Sequence, residues 1–137
     1  MANNPAVTEE ELAQILLTSP FAKAYRFKLH SIGSGECTLL IPFQPDLERP
    51  SGIVAGPIFM AAADVAMWLA IMTHLGKEEL TVTVELNTAF LNPAKEEDAR
   101  CTAKVLRLGK TLIYGVAECR NVPGSLLTHH TITYIRK

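Results

Sequence analysis

No CxxC, HxH or HExxH spacing occurs in this sequence, and no GxGxxG, P-loop or GxSxG element. The first group of absences leaves no ligand spacing for a metal site. The second removes the common phosphate cradles and the serine nucleophile elbow. There is no basic excess: the net charge is −1 and the pI about 6.4, which argues against a nucleic-acid binder. Low-complexity segments and internal repeats are also missing. The start, Met1-Ala2-Asn3-Asn4-Pro5, lacks the positive and apolar regions of a secretory leader. The cysteines, Cys37, Cys101 and Cys119, are odd in number and follow no pairing pattern. Reduced, buried thiols in a cytoplasmic protein are the expectation.

What is present is a globular composition, 48% hydrophobic and 20% charged over 137 residues. That length suits one domain spanning 1–137 with an ordinary core. Residues 1–20 read as a helical lead-in. Thr8 is a candidate N-cap, Glu11 completes a capping box, and Ser19-Pro20 ends the helix. Residues 24–33 and 35–43 read as strands about a Gly33-Ser34-Gly35 turn, and 44–55 as a proline-punctuated loop.

The next segment dominates the chain. From Gly56-Pro57 to about Leu75 the sequence reads as a helix apolar on nearly every face, closed by Gly76. A helix of that kind is normally buried. Its length also suits a bilayer span, but no aromatic belt flanks it and the strands around it need a core. Its one charge, Asp64, sits in the middle, where a carboxylate costs several kcal/mol unless paired or hydrogen-bonded. Asp64 is either a satisfied core group or a general base or nucleophile.

Four strands follow. Thr81 to Leu91 alternates, with Val82, Val84, Leu86 and Phe90 on one face and Thr83, Glu85 and Asn87 on the other. Residues 98–108, 111–121 and 125–136 are joined by tight turns and should lie antiparallel. The class is therefore α+β, one antiparallel sheet wrapped around the apolar helix. Its exposed edges favour self-association.

Two features of the helix carry chemistry. Its N-terminal amides, with Gly56 first because Pro57 has no N–H, could face a ligand oxygen. Asp64 lies eight residues further on, about 12 Å along the axis. A base and an oxyanion donor must both lie within about 3 Å of the reacting atoms. If both are catalytic, Asp64 of one subunit must work with Gly56 of another.

The helix, the loop before it and the strand from Thr81 to Pro93 resemble the PaaI-like hotdog-fold acyl-CoA thioesterases. The likeness covers nearly all of the chain beyond residue 20. The family pattern is an asparagine, a short loop, His-Gly-Gly and an acidic residue nine positions after the histidine. Arg49, Ala55, Gly56, Pro57 and Asp64 occupy those positions. Asn92-Pro93-Ala94 and Leu108-Gly109-Lys110-Thr111 match family turns.

The resemblance implies thioester hydrolysis with Asp64 as base or nucleophile and the Gly56 amide polarising the carbonyl across a subunit interface. Thr83 would help place the water, although the alternation aims it away unless the strand twists or bulges. Arg49, Val54 and Ala55 of the loop, with Met60, Met67 and Trp68 of the helix, would shape the acyl pocket. Independently of the resemblance, Arg107, Lys110 and nearby Lys104 put positive charge at one hairpin end, either a solvated turn or, for Lys110, a contact for phosphates of coenzyme A, which is part of the substrate. No further cofactor, metal, nucleic acid or membrane is expected. A homodimer, or a homotetramer built as a dimer of dimers, is. The alternative is an acyl-CoA or fatty-acid binder without turnover.

Overall fold

The computed structural model describes residues 4–137. Met1 to Asn3, part of the stretch read for a leader, lie outside them. Helix α1 (Glu9–Thr18) starts on the expected capping box: Thr8 accepts from the Glu11 N–H, and the Glu11 carboxylate accepts from the Thr8 N–H at 3.0 Å. A second short helix, α2 (Pro20–Ala24), follows at once. Pro20 ends one helix and opens the next, since a proline at the first helical position loses no needed bond. This moves the first strand: β1 covers Lys28–Gly33, not 24–33. Strand β2 runs Glu36–Ile41, and a 3-10 turn, Pro45–Leu47, interrupts the loop after it.

Helix α3 (Pro57–Leu75) is the core of the molecule, with thirteen of its 19 residues buried. An apolar helix of spanning length is thus accounted for as a buried core helix. It lies against β2, β4 (Ala99–Leu108) and β5 (Leu112–Asn121). Gly115 on β5 permits the closest approach: a Cβ there would stand 2.3 Å from Met67 Cε.

All six strands form one antiparallel sheet in the order β1-β2-β4-β5-β6-β3, with β3 Thr81–Phe90 and β6 Leu126–Arg136. Strand β3 therefore leaves the helix at the far edge and pairs only with β6.

The expected single apolar row on β3 is corrected by a bulge. The register with β6 slips between Thr83 and Glu85. An extra residue in one strand reverses which face each later residue occupies. Val82 and Val84 are exposed, 42% and 53%, while Thr83 and Leu86 on the two sides of the slip are both partly buried.

Candidate functional site

Two clefts flank α3. The first lies in the middle of the helix and measures about 270 Å³. Asp64, Val65 and Trp68 of α3, Thr81, Val82 and Thr83 of β3, Tyr134 of β6, and Ser19 and Phe21 of the α1–α2 corner line it. The Thr83 hydroxyl donates to Asp64 Oδ1 at 2.7 Å. The Tyr134 hydroxyl donates to the same oxygen at 2.7 Å and shares its proton with the Asp64 carbonyl at 2.9 Å. A carboxylate buried among apolar groups needs such donors. Among the described residues no cation pairs with Asp64, and no donor reaches Oδ2.

This answers how the helix tolerates its one charge. Hydroxyls hold one oxygen and the other is left for something in the cleft. Burial and the adjacent Asp64 charge push the Tyr134 phenol above the ordinary tyrosine range. Tyr134 therefore stays protonated, a donor, throughout the neutral range.

The second cleft lies at the N-terminus of α3 and measures about 480 Å³. Gly56 and Phe59, Arg49 and Val54 of the preceding loop, Phe90 and Asn92 at the end of β3, and Thr128 line it, with others. Neighbouring amides are used within the loop: Val54 N–H donates to Ala94 O and Ala55 N–H to Leu47 O. Among the described residues no acceptor takes the Gly56 N–H. The Phe90 ring covers this glycine so closely that a Cβ would stand 2.7 Å from Phe90 Cε1. The room here exists because residue 56 has no side chain.

Asp64, Thr83 and Trp68 share the first cleft; Gly56, Arg49 and Val54 share the second. Ala55 is partly buried beside the second cleft, its N–H spent on Leu47. Met67 lines neither cleft: it is 1% exposed and fills the space over Gly115. Met60 is half-buried on α3 and lines neither cleft. Lys110 stands on the exposed β4–β5 turn, outside both.

Tyr134 was not anticipated. Its signal was the alternation of β6, where Thr128, His130, Ile132 and Tyr134 are buried on one face. A buried tyrosine requires a partner for its hydroxyl.

Beneath the second cleft, fully buried His130 is held at both nitrogens, by Thr88 Oγ1 and Thr128 Oγ1, each at 2.8 Å. Its neighbour His129 points the other way, toward Glu118 at 3.2 Å.

The sequence profile of the thioesterase superfamily matches residues 51–128, the segment holding Gly56, Asp64 and Thr83. The chain belongs to the thioesterase superfamily. A Thermoplasma volcanium protein that carries a provisional esterase name is 31% identical over 104 residues, 76% of this chain and 77% of that one. A Haemophilus influenzae thioesterase superposes with a TM-score of 0.89 at 19% identity, over all of this chain and 95% of its own. A provisionally named thioesterase of Silicibacter sp. TM1040 gives a TM-score of 0.87 at 27% identity, covering 97% of this chain and 94% of its own. The sheet wrapped around α3 is thus a hotdog fold, and thioester hydrolysis is the chemistry of the family.

Proposed function

We propose that this thioesterase-superfamily protein, of the PaaI-like branch, hydrolyses acyl- or aryl-CoA in the cytoplasm, at sites shared between two copies of the chain. The observation that carries the proposal is the arrangement of Asp64. Two hydroxyls hold its Oδ1 in a cleft and, among the described residues, no donor occupies Oδ2.

In this reading Asp64 Oδ2 takes a proton from water as the water oxygen attacks the thioester carbonyl. Thr83 and Tyr134 fix the carboxylate so that its free oxygen needs no reorganisation. The carbonyl oxygen, now negative, accepts from the Gly56 N–H of the other copy. The tetrahedral intermediate collapses, the C–S bond breaks, and coenzyme A leaves with the proton, giving a carboxylic acid and a free thiol. Arg49 and Val54 border the amide side of the site, and Trp68 borders the acyl side.

The two-copy arrangement rests on distance. The half-sites lie about 12 Å apart along one helix, too far to serve one carbonyl. Edge strand β3, with exposed Val82 and Val84 and with exposed Leu80 just before it, is a surface of the kind that pairs with a second copy. A dimer of this kind could associate further into a tetramer.

The second reading, a binder without turnover, is favoured by Ala55 and Arg49 standing where the resembling family has histidine and asparagine. Release of free thiol from a panel of acyl- and aryl-CoAs, measured for wild type and Asp64→Asn, decides between them. Thiol release lost in Asp64→Asn supports hydrolysis at Asp64. A ligand-induced rise in Tm with no thiol released supports the binder. Turnover unaffected by Asp64→Asn overturns the proposed mechanism.

A further inference from the structure

The α1–α2 corner borders the Asp64 cleft through Ser19 and one aromatic ring, Phe21. Phe21 lines the cleft together with Val65 and Trp68 yet is 54% exposed. Its backbone is fixed on both sides. Ala22, next in sequence, is fully buried, and the Lys23 N–H donates to Ser19 O at 2.9 Å. The ring itself is braced from behind. Tyr25 meets it edge-on at 5.3 Å between centroids, and buried Phe27 stacks on Tyr25 at 5.4 Å. Gln44 Nε2 donates to the Tyr25 carbonyl at 2.7 Å, tying this ladder to the loop after β2. Arg26 turns the chain between the two rings with a φ of 60°, a conformation uncommon for a non-glycine residue.

A large apolar ring braced on one side and bare on the other, in a cleft with a carboxylate, is placed to meet an apolar ligand group. The cleft is polar at one end, where Asp64, Thr83 and Tyr134 meet, and apolar toward Phe21, Trp68 and Val82. At about 270 Å³ it falls just below the range of small-molecule sites, roughly 300 to 1,000 Å³.

The geometry points to Phe21 as the specificity-determining residue of the acyl side: its ring forms the end wall that limits the acid to a short chain or a single ring. This rests on the thioesterase reading of the Asp64 cleft. It gives the N-terminal helices a role in selecting the substrate, since they contribute to the pocket without supplying a reacting group.

The test uses two readouts. The first is kcat/KM across a straight-chain acyl-CoA series from C2 to C16, for wild type, Phe21→Ala, Phe21→Leu and Leu17→Ala. Leu17 is exposed on α1 and lines neither cleft, so it is the control. The second needs no turnover. Trp68 is the single tryptophan of the chain and lines the same cleft, so its fluorescence reports binding of free carboxylic acids of the same lengths.

A methylene in an apolar pocket is worth roughly 10–200-fold in kcat/KM. Phe21→Ala is expected to move the optimum two or more carbons longer and to raise the preference for those substrates on the order of tenfold. Phe21→Leu should fall between, and Leu17→Ala should match wild type. Turnover with an unchanged length profile in Phe21→Ala overturns the inference and leaves the hydrolase reading standing. No turnover in any form, with a fluorescence length profile that shifts in Phe21→Ala, overturns the hydrolase reading and supports the wall. An unchanged profile together with dissociation of the oligomer makes Phe21 an interface residue and overturns the inference.

Discussion

Thr83 reaches Asp64 because β3 bulges immediately after it. The hydroxyl lies 2.7 Å from Oδ1, and the register slip with β6 falls between Thr83 and Glu85. Regular pleating from Thr83 to Phe90 would leave the threonine on the face opposite Leu86. The bulge instead lets both turn toward the helix, at the cost of exposing Val82 and Val84.

Asp64→Asn removes the base and keeps an oxygen that accepts from Thr83 and Tyr134. Thiol release should fall by about 10²–10⁴-fold, the usual contribution of a positioned general base. Thermal unfolding should show a stability within about 1 kcal/mol of wild type, because the hydrogen bonds survive in neutral form.

Tyr134→Phe deletes a buried donor and leaves Asp64 one partner poorer. A loss of about 1–3 kcal/mol is expected from chemical denaturation, with a lower kcat. The same variant has a pH signature. In the folded state the Tyr134 phenol is held above its ordinary value by burial and the Asp64 charge. A raised value means that the associated stability is fully present below the unfolded value, about 10, and is lost as pH rises beyond it toward the folded value. Above about pH 10, Tm should fall more steeply in wild type than in Tyr134→Phe. Parallel curves would contradict the assignment of that limb to Tyr134.

Gly56→Ala keeps the N–H but drives the Phe90 ring off the position it now holds, so each variant alone, Asp64→Asn or Gly56→Ala, should be nearly inactive. Mixed after dissociation and reassociation, they should recover about a quarter of wild-type activity, since half of the randomly formed two-fold dimers are mixed and each regains one of two sites. Recovery of nothing on mixing would place both groups of a working site on one chain, against the distance argument.

The three thiols should be silent. Cys37, Cys101 and Cys119 are all fully buried; burial, with the Glu36 charge, pushes Cys37 up to about 12. Hydrogen bonding within the Cys101–Cys119 pair, with burial, holds Cys101 well above the ordinary thiol range and, with bonds from His130 and Thr128, draws Cys119 below it; for Cys119 it is full burial alone that keeps a reagent away. Ellman's reagent should count no thiol in the native protein and three in denaturant. A thiol-release assay on the intact protein then reads only coenzyme A.

Local signals carried most of the fold. The Thr8–Glu11 box, the Gly56-Pro57 entry and the Gly76 stop mark helices through backbone chemistry that a few neighbouring residues decide, and α1 and α3 begin and end where those signals stand. Asp64 was legible because one charge in an apolar helix is conspicuous. Its partners were less so. Counting by twos along β3 cannot register an inserted residue, so Thr83 fell on the wrong face. Tyr134 lies seventy positions from Asp64, and only the sheet order brings β6 under the helix. Met67 was misplaced because helical spacing gives the face a residue shares, not what the opposite strand leaves vacant. Gly115 leaves that space open.

The strand order has a consequence for assembly in time. Strand β3 is made before β4 but pairs only with β6, the last strand to be synthesised. Until β6 arrives, β3 has no neighbour, Thr83 has no fixed place and Tyr134 is absent. The Asp64 carboxylate is then carried on an apolar helix without either hydroxyl that holds it. A nascent chain halted anywhere short of Tyr134 should expose that helix and recruit chaperones. The hydrogen-bonded arrangement around Asp64 would thus mature in one late step rather than piece by piece.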